Sequence, residues 1–282
     1  MADYLFDSAS PGAARALLEE IGAQPNKTLG QNFLVSGAIL DRIVATSGTT
    51  SDDAVLEIGP GLGALTCRLA RAADRVVAVE KDGQYVDLLH RHLPLLNLHL
   101  HHGDALRVVY SDLMLPATGV RVVANLPYFI SKPMLRRLLE EWRPHLKSIT
   151  VLVQREVADR IVAAPATSAY GPMGIMASLW GDATRVFDVK PGSFLPPPNV
   201  MSSVVHIEVR QTPRVELKNE PLFWRIITAA FGQRRKQLGN TLRAVQTDKE
   251  ALNGWLERAN IDGQRRGETL SLQEFANLSE LL

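Results

Sequence analysis

The sequence has a single cysteine, Cys67, among its 282 residues. One thiol closes no internal disulfide and cannot furnish a cysteine zinc site. No apolar run approaches the ~18 residues that a membrane-spanning helix needs. Charge of one sign is missing too. Thirty-one basic residues face 30 acidic ones, for a net charge of +1, so any surface for an anionic partner has to be local. The first ten residues, MADYLFDSAS, carry Asp3 and Asp7 and no basic segment ahead of an apolar stretch. No signal peptide is expected there, and the reducing cytoplasm is the expected compartment. Internal repeats and low-complexity tracts are absent. What is present is ordinary: 46% hydrophobic and 22% charged residues, enough apolar side chain for a sizeable core and too much for wholesale disorder.

The order of patterns points to an α/β fold. Residues 11–22 read as a short helix closed by Gly22, and Ile39, Leu40, Ile43 and Val44 mark one face of a second helix. Then short β-branched runs alternate with segments of helix length. The runs are Ala54–Ile58, Val76–Glu80, Leu96–His101, Val120–Ala124 and Ile149–Val153. Largely uninterrupted apolar strands separated by helices predict a parallel sheet with helices on both faces. Val186–Val189 and Ser203–Val209, joined by a proline-rich loop, are expected to add to that sheet as an antiparallel, hairpin-like pair. Beyond Pro213 and Pro221 the tail reads as helices, with turn signals near Gly254, Gly263 and Gly267. The expected divisions are an N-terminal extension over 1–28, a sheet domain over 29–210 and a small all-helical domain over 211–282.

The first strand of the alternation runs into Glu57-Ile58-Gly59-Pro60-Gly61-Leu62-Gly63. Alternate glycines let a backbone turn tightly beneath a ligand, and open α/β sheets bind ligands beyond the carboxyl ends of their strands. A dinucleotide and another adenosine cofactor both remain open at this point, although Gly59, Gly61 and Gly63 do not meet the spacing of the dinucleotide fingerprint. Glu80, Asp104 and Asn125 end three further strands. A carboxylate after the second strand can hold ribose hydroxyls, and one after the third can accept from an adenine amino group. Each alone reads more readily as a helix cap than as a ligand contact; several in this order fit a cofactor edge better.

Asn125-Leu126-Pro127-Tyr128 follows a buried-type strand at the same edge. An exocyclic adenine amine is a poor nucleophile because its lone pair is delocalised into the ring. An Asn oxygen and a main-chain carbonyl can hold its two hydrogens without becoming charged. Pro127 fixes the local backbone, and Tyr128 offers a flat face for an extruded base. Phe194, opening Phe194-Leu195-Pro196-Pro197-Pro198, could supply a second face or simply belong to a rigid loop.

Together these residues resemble the ribosomal RNA adenine N6-dimethyltransferase family, in its bacterial small-subunit branch. The resemblance runs from about Leu29 to the C-terminal helices. It is carried by Leu29-Gly30-Gln31-Asn32-Phe33-Leu34, the Glu57–Gly63 loop, Asn125–Tyr128, Gln154-Arg155-Glu156-Val157, Tyr170-Gly171, Phe194–Pro198 and Ala230-Phe231-Gly232-Gln233-Arg234-Arg235-Lys236. It implies a Rossmann-like S-adenosylmethionine-dependent methyltransferase sheet, with S-adenosylhomocysteine as product. Asn32, Leu34 and Gly59 would border the methionine end, Glu80 the ribose, Asp104 the adenine, and Asn125 both cofactor and target amine. Tyr128 and Phe194 would be the base-stacking pair. The implied partner is small-subunit ribosomal RNA in an immature 30S particle, with two adjacent adenosines near its 3′ end each dimethylated, and a monomeric enzyme is expected.

Gln233, Arg234, Arg235 and Lys236 are expected on a helix, facing RNA phosphates or solvent. Relatives are expected to carry a lysine shortly before Tyr170-Gly171; Ser168 here cannot supply that charge. The resemblance gives residues 1–22 no role. His90, His92, His99, His101 and His102 invite a metal reading, but no Cys, Asp or Glu within the cluster completes a ligand set, and no metal is expected. The alternatives are a large-subunit enzyme of the macrolide-resistance type, an assembly factor whose binding matters more than its catalysis, and a nicotinamide oxidoreductase.

Overall fold

The computed structural model describes residues 7–25 and 31–282. Leu29 and Gly30, the start of the first motif, lie outside the described residues. The strands, in chain order, are β1 (Phe33–Leu34), β2 (Ala54–Ile58), β3 (Arg75–Glu80), β4 (Leu98–His102), β5 (Val120–Asn125), β6 (Leu146–Gln154), β7 (Gly181–Val189), β8 (Phe194–Leu195) and β9 (Ser202–Val209). The helices are α1 (Pro11–Glu20), α2 (Gly37–Ser47), α3 (Ala64–Ala72), α4 (Gly83–His92), α5 (Ser131–Glu140), α6 (Arg155–Ile161), α7 (Pro172–Trp180), α8 (Glu220–Gly232), α9 (Leu238–Thr241), α10 (Lys249–Arg258) and α11 (Leu272–Glu280).

Two compact units divide the chain. The first comprises the residues up to Ala158 together with Ala183–Val209. It contains a seven-stranded sheet in the order β4-β3-β2-β5-β6-β9-β7. Strands β4, β3, β2, β5 and β6 run parallel, and β9 pairs antiparallel with β6. Central strands are apolar on both faces: Val55, Leu56, Val77, Val122, Val123, Ile149 and Val151 are all buried. The outermost strand, β4, departs from that pattern. It alternates Leu98, His99, Leu100, His101 and is only half-buried, as befits an edge that must not recruit another strand.

Strand order reverses between β2 and β5, which leaves a crevice at their carboxyl ends. Helix α3 begins there on Gly63 in the left-handed conformation (φ 80°). Asp82 caps α4 by accepting from the Gln84 N–H at 3.0 Å, a contact contributing ~1 kcal/mol. At the opposite end of the strands, buried Arg121 pairs with Asp53 at 3.0 Å and donates to the Ser47 carbonyl and to Ser148 Oγ. The two-stranded β1–β8 ribbon pairs Phe33 with Leu195 and Leu34 with Phe194.

The second unit comprises Asp159–Asp182 and Arg210–Leu282. The expected sheet domain over 29–210 thus gives up one stretch to the helical unit. The reason lies in α7, whose Ile175, Met176, Ala177 and Leu179 are buried and which packs with α8 and α11. Phe223, Ile226, Trp255 and Phe275 fill the centre of this unit, and Trp255 Nε1 donates to the Leu278 carbonyl at 2.9 Å. Ser271 and Glu274 form a reciprocal cap on α11. Gly254 lies within α10 rather than at a turn.

Candidate active site

Two adjoining hollows open at the carboxyl ends of the first unit's parallel strands. The smaller, about 100 Å³, is bordered by Asn32, Leu34, Glu57, Gly59, Gly61, Asn125, Pro127 and Tyr128. The larger, about 530 Å³, is bordered by Gly59, Glu80, Lys81, Asp82, Asp104, Leu106, Pro127 and Phe129. Gln31, Gly59, Glu80 and Pro127 border both, so the two form one elongated site.

The glycine loop is the floor of that site. Gly59 and Gly61 have φ of 70° and 52°, a region that side chains strain to enter. A Cβ at Gly61 would also stand 2.9 Å from the Phe33 ring. Glu80 closes the end of β3. Its Oε2 accepts from the Gly61 N–H at 3.2 Å, and its Oε1 accepts from the Lys81 and Asp82 N–H groups at 2.8 and 2.9 Å. Burial nevertheless raises its pKa, because removing a carboxylate from water outweighs those three donors. Asp104 Oδ2 accepts from Lys81 Nζ at 2.9 Å and Oδ1 from the Leu106 N–H at 3.0 Å. The Lys81 ammonium beside it holds this carboxyl below its ordinary value. Asp104 is therefore both a local cap and a wall of the larger hollow.

Glu57 is the unexpected member. It is 1% exposed, and its Oε2 has no hydrogen-bond partner. Burial pushes its pKa up to about 8; the neighbouring Thr66 hydroxyl, itself buried outside hydrogen-bonding geometry, opposes the shift and the charge of Glu80 adds to it. A buried carboxyl with an oxygen left without a partner at the smaller hollow is free to exchange a hydrogen bond with a polar group of a ligand.

Asn125 closes β5. Its Nδ2 donates to the main-chain carbonyl of Asn32 at 3.1 Å, which leaves Oδ1 as an acceptor. Tyr128 is half-buried; its hydroxyl shares a 2.6 Å hydrogen bond with Ser202 Oγ, and its carbonyl accepts from Ser131 Oγ at 2.7 Å. The ring and the turn that carries it are thus fixed from two sides.

Asn32, Leu34, Gly59, Glu80, Asp104, Asn125 and Tyr128 all reach the hollows. Phe194 does not. It is 3% exposed and packs in the core with Leu34, Leu40 and Ile43, because its pairing opposite Leu34 draws it inward. In this conformation it offers no face to a base. The exposed aromatic at the larger hollow is Phe129, 50% exposed, and its signal was its place directly after Asn-Leu-Pro-Tyr. Among the described residues no cluster of three or more His, Cys, Asp or Glu could hold a metal ion. His92 instead pairs with Glu20, and His102 with the Lys81 carbonyl.

The family model for ribosomal RNA adenine dimethylase matches residues 22–280. The chain belongs to that family. A ribosomal RNA small subunit methyltransferase A of Magnetococcus marinus is 43% identical over 270 residues, covering 95% of each chain. One of Bacillus pumilus is 42% identical, covering 98% of this chain and 97% of its own. A dimethyladenosine transferase structure from Plasmodium falciparum superposes with a TM-score of 0.71 at 25% identity, over 87% of this chain and 95% of that one. The 23S rRNA methyltransferase ErmE, at 23% identity and a TM-score of 0.67, shares the fold.

The four tail residues expected to serve this family's RNA contact are not on a helix. Helix α8 ends at Gly232, and Gln233, Arg234, Arg235 and Lys236 form the exposed turn that follows. A 233–236 helix would have needed α8 to continue past Gly232, a poor helix former. Arg234 is engaged within its own unit. It donates to the Ser168 and Tyr170 carbonyls at 2.8 and 3.2 Å and pairs with Glu268 at 3.3 Å. A guanidinium therefore stands against the main chain at Ser168, where a lysine was expected.

Proposed function

We propose that this enzyme transfers methyl groups from S-adenosylmethionine to N6 of adenosines in small-subunit ribosomal RNA. The proposed targets are two adjacent adenosines near the RNA's 3′ end, dimethylated within an immature particle and presented as extruded bases. The observation that carries this reading is Asn125, tied through Nδ2 to Asn32 and left with Oδ1 to accept, at a hollow continuous with one walled by Glu80 and Asp104.

The site's chemistry fits such a cofactor. Glu57 carries a buried oxygen without a hydrogen-bond partner, the loop presents bare backbone at Gly59 and Gly61, and two carboxylates border the larger hollow. Glu80 would hold ribose hydroxyls, Asp104 the adenine amino group, and Asn32, Leu34, Gly59 and Glu57 the methionine end. When bound, S-adenosylmethionine supplies a methyl group on a positively charged sulfur, already activated for transfer.

The chain's own contribution is therefore placement. Asn125 Oδ1, with a main-chain carbonyl fixed by Pro127, accepts the hydrogens of the target amine and aims its lone pair. Tyr128 supports the base by stacking. No side chain has to remove a proton before attack, because the amine becomes acidic only once methylated. Gln233, Arg235 and Lys236 are the proposed phosphate contacts of the helical unit.

The test is methyl transfer from labelled S-adenosylmethionine to immature small subunits lacking the modification, with large subunits, naked RNA and an Asn125→Ala control alongside. Dimethyladenosine on the small-subunit particle alone, lost in the variant, is the expected result. Label on large-subunit RNA would move the chain to the other branch. Binding to immature subunits without any label would make assembly its main role.

A further inference from the structure

Helix α1 lies ahead of the residues that the family model matches, which begin at 22. Its contacts nevertheless run to the proposed cofactor site. Ala14, Leu17 and Leu18 are buried in one cluster with Leu62 of the glycine loop and with Tyr85. Ion pairs hold both ends of the segment. Asp7 grips Arg68 of α3 with both carboxylate oxygens, at 3.0 and 3.1 Å, and Glu20 pairs with Arg91 and His92 at the end of α4. Between them Ser8, 1% exposed, donates Oγ to the Leu62 carbonyl at 2.8 Å and borders the smaller hollow.

Leu62 stands between two glycines in the left-handed conformation. Leu62 is packed against α1, but the glycines on either side have no side chain to fix them, so hydrogen bonds to neighbours help decide where the loop's amides stand. One tie comes from inside, where the Gly61 N–H donates to Glu80. A second joins the Gly59 N–H to the Val79 carbonyl at 2.9 Å, and the tie to the Leu62 carbonyl comes from outside, through Ser8. Arg68, the anchor of Asp7, is itself held to Asp41 at 2.6 Å and to the Ala64 carbonyl at 3.0 Å, so the outer tie is mounted on α2 and α3.

We infer that Ser8 is a positioning residue for the cofactor: bonded to Leu62 and carried by the α1 clasp, it fixes the glycine loop in the form that S-adenosylmethionine occupies. The inference rests on the cofactor reading above. A merely structural anchor would lower the melting temperature and leave cofactor binding alone; a positioning residue moves the cofactor's affinity and KM while sparing kcat at saturation.

The experiment uses the full chain and S-adenosylmethionine itself. Equilibrium binding and dissociation rate are measured for the wild type, Ser8→Ala and Asp7→Asn, with melting of each in the absence of cofactor. Ser8→Ala is expected to weaken binding about tenfold, which is ~1.4 kcal/mol, chiefly through faster dissociation. Its KM for the cofactor should rise in step, with kcat at saturating cofactor and KM for RNA within twofold of wild type. Asp7→Asn should shift binding in the same direction by a smaller factor. A lowered melting temperature with unchanged cofactor affinity would reduce Ser8 to an anchor and overturn the inference. If Ser8→Ala shows no folded baseline, Asp7→Asn decides by the same comparison. A wild-type chain that binds no S-adenosylmethionine would overturn the functional reading and this inference together.

Discussion

Asn125 Nδ2 donates to the carbonyl of Asn32 at 3.1 Å, joining positions 93 residues apart. The bond ties the end of β5 to the segment leading into β1, and it decides which end of the amide is left to accept. An Asn125→Asp substitution keeps the size of the side chain but removes the donor. One carboxylate oxygen would then meet the Asn32 carbonyl, acceptor against acceptor, and the segment before β1 would lose its tie. The expected outcome is a kcat lowered ~10²-fold or more, the scale on which a lost positioning or charge-stabilising contact acts, with cofactor affinity falling less than tenfold. Single-turnover methyl transfer alongside equilibrium cofactor binding checks both numbers. Equal losses in the two would mean that Asn125 serves the cofactor alone.

Glu57 predicts a pH dependence of stability. Its pKa is about 8 in the folded chain against an ordinary 4.5. A buried acid of this kind contributes its full stability below the unfolded value, and the contribution is lost as pH rises through 8. In that window the slope for one group is about 1.4 kcal/mol per pH unit. Glu57→Gln keeps the shape and cannot ionise, so it should flatten the fall in stability between pH 5 and 8 and leave stability near pH 4.5 little changed. Chemical denaturation across that range, without cofactor, is the measurement. Parallel profiles for the two chains would show that Glu57 is not the group responsible.

The parts of this site legible in the sequence were those written in contiguous motifs. Glycines after β2, acids after β3 and β4, and Asn-Leu-Pro-Tyr after β5 must meet at one edge once a parallel sheet is granted. What stayed hidden depends on packing between segments distant in sequence. Phe194 reads as a loop aromatic until β8 pairs with β1 and turns it inward. Residues 159–182 read as part of the sheet domain because the chain returns to β7 after them; only the apolar faces of α7 show where they are buried. Ser8 looks like any polar residue near a terminus until its partner, 54 positions away, is seen. The basic run 233–236 reads as helix, and the break after Gly232 turns it into a corner.

Phe194 separates two roles. As a core residue packed with Leu34 and Leu40, its truncation to Ala should cost ~3–5 kcal/mol of stability. Activity per folded molecule, measured below the shifted transition, should stay within a few-fold of wild type, with KM for RNA unaltered. Denaturant unfolding and initial rates on the same preparation test this. A stable Phe194→Ala protein with no activity would instead mean that the ring leaves the core to stack on the target base.

The tail corner predicts a division of labour between neighbouring cations. Arg235 and Lys236 are exposed and have no ion-pair partner among the described residues, whereas Arg234 is bonded to two carbonyls and Glu268. Each phosphate contact releases counterions, so its loss reduces the salt dependence of RNA binding by about 0.7–0.9 in log–log slope. The double substitution Arg235→Ala with Lys236→Ala should therefore lower the slope by about 1.5 and leave thermal stability unchanged. Arg234→Ala should do the reverse: a slope within 0.3 of wild type by this ~0.7-per-contact scale, and a loss of order 1 kcal/mol as the carbonyls of Ser168 and Tyr170 lose their donor. Titrations of RNA binding at several salt concentrations, paired with melting curves, distinguish the two. If Arg234→Ala flattened the salt dependence as much as the double variant does, its guanidinium would have to exchange these carbonyls for phosphate when RNA binds.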